Sequence, residues 1–450
     1  MRILHITDIH DAFIPLIYVC CCETYDVIAF TGDLLSEDNL VLFIDVLSAL
    51  SEFASRPIIF VPGNWDPIGS LIIKHYANLY GAHSRKIIMG GYSFVGIGGS
   101  PPLVAPGVFP TEFSAEDYAF FAEKLRMLHD KHTLLMLHTD PNDVPYLKSL
   151  MRDLEPKYVL YGHIHDRRGV YAYNKTVIAN PGALYEGWYS IIDTDEGVEL
   201  KNIQTSNLRS AGCLISADDI IEALYFLQKP SSPEPTLKFL ERLLSSVTLP
   251  LEARFLTIIS TIRLIGASSE LRRILTLREF EERITNKRQA RFLLRVLSKV
   301  GTISNEYLES IQHLEGDTIS DLLTIIAIKE LGIGGADWRW ANIEATTNPL
   351  EVLLFLIASG GKHLDADTLS VIVEAIEKSN LTDVTYMLLE LARHLDWHDL
   401  KEILSRLKYA INSVFGLADE NTKAFFLRKL RNVFVKDNII SIDLARFLIA

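Results

Sequence analysis

The sequence predicts two parts of different fold class, an α/β domain over residues 1–205 and an all-α region over residues 237–450. Up to residue 205, short apolar runs alternate with polar loops and helical stretches, which is the pattern of a largely parallel sheet covered by helices. Beyond that point the strand signals stop, and apolar residues recur at i, i+3 and i+4 in one helical stretch after another. Residues 206–236, which end in a run rich in proline and serine, are expected to connect the two parts.

The α/β part opens with three strand–loop–helix units, and two more apolar strands follow. The five strands are predicted at Arg2–Ile6, Asp26–Phe30, Pro57–Val61, Thr133–Leu137 and Tyr158–Tyr161. The helix after the third strand is expected to extend to about Tyr80. A hairpin over residues 86–97, turned at Gly90-Gly91, lies between the third and fourth of these strands. The proline- and glycine-rich loop over residues 98–110 is long for a connection, which favours a role as a lid or rim.

Oxygen and nitrogen donors follow all five strands. They are Asp8 and His10, then Asp33, Asn64 and His138, and finally His163 and His165. Because such sheets bind ligands at the carboxyl ends of their strands, these side chains are expected at one edge. Singly, each has an ordinary explanation as a helix cap or a surface histidine; five strand ends together do not. Seven donors are too many for one tetrahedral ion and fit two ions that share a bridging carboxylate.

The order Asp-x-His, Gly-Asp, Gly-Asn-x-Asp, a lone His and Gly-His-x-His resembles the calcineurin-like metallophosphoesterase superfamily. Asn180-Pro181-Gly182 resembles a feature of its small prokaryotic or archaeal branch. The resemblance covers about residues 1–205 and implies a four-layer αββα sandwich with a dinuclear centre. It implies that Asp8, His10 and His165 hold the first ion, that Asn64, His138 and His163 hold the second, and that Asp33 bridges them.

The activity implied by this resemblance is metal-dependent hydrolysis of a phosphomonoester or phosphodiester. Two divalent ions would polarise the phosphoryl oxygens and lower the pKa of a bridging water, and the resulting hydroxide would attack phosphorus. Manganese is expected first, with iron, zinc or nickel as alternatives. Asp33, Asn64 and His138 are the residues expected to take part most directly.

One position departs from the family pattern. Many members carry a histidine after the Gly-Asn pair that helps to protonate the leaving group, and this chain carries Trp65 there. An indole N–H donates a hydrogen bond but is no acid near pH 7. The change indicates a slower reaction, a better leaving group or a different acid, and Trp65 either stacks on an aromatic leaving group or packs at a helix start. Asp66 is a weaker candidate for the acid and is expected to support or cap instead.

Charge and hydropathy exclude some functions and locations. The net charge of the chain is −13, of which −10 falls on residues 1–205, and this argues against broad nucleic-acid binding by the α/β part. The chain opens directly into a strand without a signal-peptide hydrophobic segment. No run of 18 apolar residues lacks a charge. We therefore expect a cytoplasmic protein without a membrane span.

Residues 237–450 carry no motif that indicates a family. Short gaps between helical stretches predict antiparallel helix pairs stacked as an α-solenoid, with a compact bundle as the alternative. Leu271–Lys299 holds nine Lys and Arg against three Glu, which would suit an anionic partner such as RNA or polyphosphate. The alternative is a solvated helix pair with i, i+4 ion pairs.

These observations predict a dinuclear-metal phosphoesterase with a helical recognition or interaction domain, acting on a phosphate-ester substrate. Two alternatives stay open. The first is a catalytically weak metal-binding scaffold whose helical half binds a protein partner, and Trp65 is the feature that favours it. The second is a nuclease that holds its strand on the basic segment of residues 271–299.

Overall fold

A computed structural model describes residues 1–103, 106–128, 130, 132–203, 251–265, 284–300, 303–333, 343, 346–361, 364–435 and 438–449. Contacts divide the chain into two compact units. The first comprises Met1–Ser70, Lys74–Ile284 and Phe292–Ile303, and the second comprises Leu71–Ile73, Thr285–Arg291 and Ser304–Ala450. The connector predicted over residues 206–236, with the boundaries at 205 and 237, lies outside the described residues, so the domain boundaries stay a prediction.

The first sheet of the first unit has seven strands. They are β1 (Arg2–Ile6), β2 (Val27–Phe30), β3 (Ile58–Phe60), β4 (His75–Tyr76), β5 (Leu79–Gly81), β12 (Trp188–Asp193) and β13 (Gly197–Asn202). Their order across the sheet is β13-β12-β1-β2-β3-β5-β4. β1, β2, β3 and β5 are parallel, with Ile3 opposite Val27 and Ile28 opposite Ile58. The carboxyl ends of β1, β2 and β3 therefore lie side by side.

The second sheet has six strands. They are β6 (Lys86–Met89), β7 (Tyr92–Ile97), β8 (Thr133–Leu137), β9 (Tyr158–Leu160), β10 (Gly169–Tyr173) and β11 (Thr176–Asn180), in the order β10-β11-β9-β8-β7-β6. The predicted hairpin at Gly90-Gly91 is confirmed as the antiparallel pair β6–β7. β7, β8, β9 and β11 are parallel, so β8 and β9 also end at a common edge.

The two sheets pack face to face. Apolar side chains from both, including Ala29 and Ile59 from the first and Phe94, Leu134 and Leu160 from the second, form one buried cluster between them. Such a core contributes roughly 25 cal/mol per Å² of apolar surface removed from water, and it holds the two sets of strand ends in a fixed relation.

Helices cover the outer faces of the sandwich. α1 (Phe13–Cys22), α2 (Leu40–Ala54) and α5 (Leu251–Ile265) pack together on one side, and α2 contacts β5 of the first sheet. α3 (Ala115–Arg126) contacts β7 of the second sheet and packs on α4 (Pro145–Leu154). The predicted four-layer αββα sandwich is confirmed.

One predicted helix of this unit is wrong. The chain after β3 forms a short 3₁₀ helix, Ile68–Ile72, and not a helix that reaches Tyr80. Leu79 pairs with Ile58, so the apolar residues near position 80 extend the first sheet as β5. A short apolar run cannot be assigned to helix or strand from periodicity alone, and here pairing with a buried neighbouring strand decides the structure.

The described remainder of the chain is helical apart from one hairpin. Its helices are α6 (Lys287–Val300), α7 (Asn305–Gln312), α8 (Thr318–Glu330), α9 (Pro349–Ser359), α10 (Ala366–Glu377), α11 (Leu381–His394), α12 (Trp397–Leu417), α13 (Glu420–Leu430) and α14 (Leu444–Ile449). The predicted helical region is confirmed. The antiparallel hairpin of β14 (Val433–Val435) and β15 (Asn438–Ile442) was not predicted.

Local sequence signals and apolar faces build these helices. Asp317, Asp365, Asp396 and Asp419 each cap a helix by accepting a hydrogen bond from a backbone N–H in its first turn. In the second unit α9 packs on α11, α10 on α12 and α11 on α13, so neighbours two places apart are in contact. Whether these helices form a true repeat stays a prediction. Among the described helices none is both long and apolar enough to cross a membrane.

The basic segment predicted over residues 271–299 is described only from residue 284 onward. There three of its cations contact other residues of the protein. Arg291 is buried and donates to Ser320 and Thr324, and Lys287 pairs with Asp321. Arg295 donates to Asn39 Oδ1 at 3.3 Å. These three cations are therefore not part of an open basic face, and an anionic partner of the segment stays a prediction.

Candidate metal centre

The seven predicted ligand residues meet at one edge of the sandwich. Asp8 and His10 lie beyond β1, Asp33 beyond β2, Asn64 beyond β3, His138 beyond β8, and His163 and His165 beyond β9. Six of them, all except Asn64, form two groups in which one ligand atom from each residue lies within 4.8 Å of the others. We call Asp8, His10 and His165 the first cluster, and Asp33, His138 and His163, with Asn64 beside them, the second cluster.

In the first cluster two imidazoles face one carboxylate oxygen. Asp8 Oδ1 lies 3.2 Å from His165 Nε2 and 4.0 Å from His10 Nε2. The other oxygen, Oδ2, accepts hydrogen bonds from Thr7 Oγ1 at 2.8 Å and from the backbone N–H of His163 at 2.9 Å. These two bonds fix the carboxylate so that Oδ1 points at the histidines.

The second cluster is more deeply buried. His138 Nε2 lies 3.0 Å from Asn64 Oδ1 and 3.3 Å from Asp33 Oδ2, and the His138 side chain has no exposed surface. His138 Nδ1 lies 2.7 Å from the carbonyl oxygen of Thr31. A carbonyl only accepts, so Nδ1 carries the proton and Nε2 is the atom that faces the other donors.

Asp33 lies between the two clusters. Its Oδ2 is 3.7 Å from His10 Nε2 and 3.3 Å from His138 Nε2. Its Oδ1 accepts a hydrogen bond from the backbone N–H of Trp65 at 2.9 Å, which fixes the direction of the carboxylate. One oxygen of Asp33 is thus within reach of ligands from both clusters.

The backbone at the ligands is in a conformation that most residues avoid. Asp8, His10, Asp33 and His163 all have positive φ, between 44° and 67°. Asp and His tolerate this region better than most residues, but each such conformation has a cost, and clusters of them are typical of functional sites. The positive φ of His163 also explains why two histidines at i, i+2 do not face the same way and lie in different clusters.

Gly162 allows the two clusters to approach each other. A Cβ at this position would lie 1.9 Å from Thr7 Oγ1 and 2.5 Å from Asp8 Oδ2. No side chain fits there without displacing Asp8. The glycine before His163 therefore serves close packing of β9 against the loop after β1.

The charges of the centre are strongly coupled. Burial alone would lower the pKa of His138, but the adjacent Asp33 carboxylate outweighs burial and raises it to about 9. Burial acts to raise the pKa of Asp8, yet the hydrogen bond from His165 and the nearby imidazoles hold it below its ordinary range. The pKa of His163 is lowered to about 4 by burial and by the charge of His138. Carboxylates are thus kept ionised among nitrogen donors.

This donor set suits divalent transition metals. Carboxylate, amide and imidazole groups are ligands of manganese, iron, zinc and nickel. His163 Nε2 is buried and has no hydrogen-bond partner among the residues that the structure describes, which is the state of an atom that awaits a ligand. Asn64 Oδ1 and Asp33 Oδ2 both lie within 3.3 Å of His138 Nε2, and these two oxygens and one nitrogen favour a cation there. The residues present therefore fit the metal centre that the sequence predicted.

Comparison with protein families identifies the N-terminal part. The model of the calcineurin-like phosphoesterase family matches residues 1–167. The matched part carries the sequence pattern of that family and includes every predicted metal ligand. The match supports a metal-dependent phosphoesterase. The C-terminal half matches no family model. A search of the curated proteins found no match for the chain.

Several solved structures are similar to the phosphoesterase domain. A Thermus thermophilus protein is 20% identical, with 45% of this chain and 98% of that one covered and a TM-score of 0.38. A Thermotoga maritima protein is also 20% identical with the same coverage and a TM-score of 0.24. A conserved protein of Streptococcus pneumoniae, described as a predicted phosphoesterase, is 16% identical over 45% of this chain and 88% of that one, with a TM-score of 0.24.

Trp65, where many calcineurin-like phosphoesterases have histidine, borders the centre. Its ring lies 6.0 Å from the His10 ring, edge to face, and 4.7 Å from the ring of Phe109. Phe109 comes from the long loop after β7 that was predicted to serve as a lid or rim. Together Trp65 and Phe109 form an aromatic wall beside the first cluster, and both side chains are partly exposed.

Asp66 supports the second cluster from beneath. Its carboxylate accepts hydrogen bonds from the backbone N–H groups of Gly63, Asp33 and Leu34, at 2.7, 2.8 and 2.9 Å. Burial and the nearby Asp33 charge raise the pKa of Asp66 to about 7. Because its oxygens are occupied by the loops that carry Asn64 and Asp33, this geometry favours support over acid catalysis.

Tyr185, which the sequence did not predict, and Asn180, which was noted only as part of a motif, both contact the loop or side chains of the histidines. Tyr185 Oη lies 2.9 Å from His165 Nδ1, and its ring contacts His10 at 5.8 Å. Asn180, of the Asn-Pro-Gly motif, donates to the carbonyl oxygen of Ile164 at 3.0 Å and so holds the loop of both histidines. The Asn-Pro-Gly motif was the only sequence signal near Tyr185, which follows it by a few residues and carries no motif of its own. Arg167, two residues after His165, pairs with Asp143 at 2.8 Å.

Proposed function

We propose that the chain is a dinuclear-metal-dependent phosphoesterase that hydrolyses a phosphomonoester or phosphodiester. In this proposal Asp8, His10 and His165 hold the first ion, Asn64, His138 and His163 hold the second, and Asp33 bridges them. The observation that carries the proposal is the position of Asp33 Oδ2, within 3.7 Å of His10 Nε2 and 3.3 Å of His138 Nε2. One carboxylate oxygen shared by two ligand clusters is what a bridged pair of ions requires.

When bound, two divalent cations, manganese in the first place, would polarise the phosphoryl oxygens and lower the pKa of a shared water. The protein provides the setting for that chemistry. Asp8 and Asp33 contribute the only negative charges among the seven ligands, and Asn64 adds a donor without a charge. The centre therefore stays net positive and favours an anionic phosphate ester. The backbone N–H of Trp65 fixes the direction of the bridging carboxylate, and Asp66 holds the loops that carry Asp33 and Asn64.

The aromatic wall supports a preference for substrates with a good leaving group. Trp65 has no proton to give near pH 7, so a poor leaving group such as an alkoxide would depart slowly unless another group protonates it. An aryl group would leave more readily because its oxygen departs as a phenolate. An aromatic leaving group would also find the rings of Trp65 and Phe109 to stack on. We expect Trp65→His to improve hydrolysis of alkyl esters relative to aryl esters, and an unchanged ratio would argue against this preference.

The test uses the full chain, stripped of metal and reloaded with Mn²⁺, on p-nitrophenyl phosphate and bis(p-nitrophenyl) phosphate. We expect Mn²⁺-dependent turnover and a preference that assigns the mono- or diesterase activity. Asp33→Asn is expected to lower the rate by on the order of 10³-fold, because a shared metal ligand contributes several kcal/mol to the transition state. Asp45→Asn, a buried aspartate of α2 outside both clusters, is the matched control.

Full binding of two ions without turnover on any ester would contradict the proposed hydrolytic activity. It would favour the alternative of a metal-binding scaffold with a protein partner.

For the helical region we propose a role in recognising such a partner or an anionic ligand. The nuclease alternative has less support, because Lys287, Arg291 and Arg295 of the basic segment are engaged in internal contacts. Cleavage of single-stranded nucleic acid with a steep salt dependence would support the nuclease alternative.

A further inference from the structure

Helix α5 lies beyond the predicted phosphoesterase domain in the sequence, yet it completes that domain. Ten consecutive residues of α5, from position 252 to 261, are buried, and the helix packs on both α1 and α2. α1 and α2 need such a cover, because residues 13–20 and 40–51 are also buried all round. Helices on the outside of a sandwich normally keep one polar face in water. α5 is therefore a structural part of the unit that carries the metal centre.

The C-terminal end of α5 contacts the loop after β1. Ser260 Oγ donates a hydrogen bond of 2.8 Å to the carbonyl oxygen of Asp11, and both residues are buried. Arg263 Nη1 forms an ion pair of 2.5 Å with Asp11 Oδ1, and its Nη2 binds Glu37. The guanidinium thus joins the loop after β1, which carries Asp8 and His10, to the loop after β2, which carries Asp33.

Asp11 transmits this contact to the ligands. It directly follows His10, has a φ of 66°, and accepts a further hydrogen bond from the backbone N–H of Ser36 at 3.3 Å. The two loops are already joined by backbone bonds from Ile9, His10 and Asp11 to the carbonyl groups of Asp33 and Leu34. Arg263 closes this ladder at its outer end with a planar fork that can hold two carboxylates at once.

We infer that α5 is a brace for the metal-binding loops and that Arg263 is a positioning residue for the first ion. The inference rests on the proposed function, because it concerns the affinity of the first cluster for its metal. Arg263 does not contact the ligands themselves. It holds Asp11 and Glu37 in place, and so fixes the left-handed turn on which the His10 imidazole is presented. Partners outside the ligand shell commonly change metal affinity by about 10–100-fold.

The charge of Arg263 and its contacts with two carboxylates have opposite expected effects on metal affinity. A cation near the centre repels a divalent metal, so loss of the charge alone would strengthen metal binding. Loss of the fork releases the loop and weakens binding at the first cluster. Arg263→Lys separates the two effects, because lysine keeps the charge but cannot hold both carboxylates in the same way.

The test is calorimetric titration of the metal-free full chain with Mn²⁺, with the two binding steps resolved. Arg263→Met is expected to weaken one step by about 10-fold and leave the other unchanged. Arg263→Lys is expected to lie between this variant and the unmodified chain. Ser260→Ala, which removes one hydrogen bond without a change of charge, is expected to weaken the same step by about fivefold. It also keeps the test valid if Arg263→Met does not fold.

Arg126→Met is the matched control, because it removes an arginine from an exposed ion pair with Asp153 on α3 and α4. The inference is overturned if Arg263→Met binds Mn²⁺ as this control does. It is also overturned if Arg263→Lys binds with full affinity, since the fork that joins Asp11 and Glu37 would then not be required. Failure of the unmodified chain to bind two ions would instead refute the proposed function, so the two failures are distinguishable.

Discussion

The two clusters of the candidate centre differ in burial and in what holds them. In the first cluster the side chains of His10 and His165 are 19% and 26% exposed. In the second cluster His138 is wholly buried and Asp33 is 3% exposed. The second cluster is held by the sandwich itself, through the Thr31 carbonyl and the support of Asp66. In the first cluster Tyr185 bonds His165, and we infer that α5 braces the loop that carries His10 through Asp11.

This difference indicates a division of roles between the two proposed ions. A buried cluster built on parallel strand ends is rigid and should bind its metal more tightly. A partly exposed cluster on loops is accessible, and its affinity depends on residues that can change without disturbing the sandwich. We therefore expect changes to the second cluster to affect stability, and changes to the first to affect metal occupancy.

The largest effect is expected where the clusters meet. Gly162→Ala places a Cβ within 1.9 Å of Thr7 Oγ1 and 2.5 Å of Asp8 Oδ2. It must displace Asp8 together with His163 and His165, so both Mn²⁺ steps should weaken and turnover should fall by on the order of 10³-fold. Gly169→Ala, where a Cβ meets no atom within 4 Å, is the control. Loss of only one step would show that the clusters are independent at this point.

The second prediction compares how much each cluster contributes to the free energy of unfolding. His138→Ala leaves the buried Asp33 carboxylate without its imidazole partner, so the metal-free protein should lose about 3–5 kcal/mol of unfolding free energy at pH 7. His10→Ala removes a partly exposed partner and should cost about 1 kcal/mol or less. Denaturant unfolding in the presence of a chelator measures both. Equal losses would mean that the clusters do not differ in the way described.

The pH dependence should report the second cluster. The pKa of His138 is about 9, above its ordinary value of 6.5. The folded metal-free protein therefore keeps a proton that the unfolded chain loses, and the resulting stability is fully present below pH 6.5 and lost as pH rises through about 9. Mn²⁺ affinity should rise over the same window, because fewer protons compete for Nε2. Chelator-treated protein whose stability is flat between pH 6.5 and 9 would contradict this pKa.

The smallest effect is expected at the outer support of the first cluster. Tyr185→Phe removes the hydrogen-bond partner of His165 Nδ1 and should weaken one Mn²⁺ step by about 10-fold without an effect on the other. Tyr189→Phe, which removes a phenol bonded to Glu23 outside both clusters, is the control. If both steps weaken together, Tyr185 supports more than the first cluster.

The predictable part of the centre is the part that the sheets dictate. Parallel strands force the residues after β1, β2 and β3 to one edge, so the convergence of the predicted ligand residues could be expected from the sequence. Tyr185 and Ser260 could not, because they reach the site from 20 and 249 residues away and carry no motif. The left-handed backbone conformation of His163 could not be predicted from the sequence either. It places His163 and His165 in different clusters, whereas an extended chain would place them on one side.

The most direct measurement of the central claim is an anomalous-scattering map of Mn²⁺-loaded crystals of two variants. His165→Ala should keep the ion at Asp33, Asn64, His138 and His163 and lose the one at Asp8 and His10. His163→Ala should do the reverse, or bind the second ion much more weakly than the first. Loss of the same position in both variants, or retention of both ions in both, would contradict the division of the two histidines between two metals.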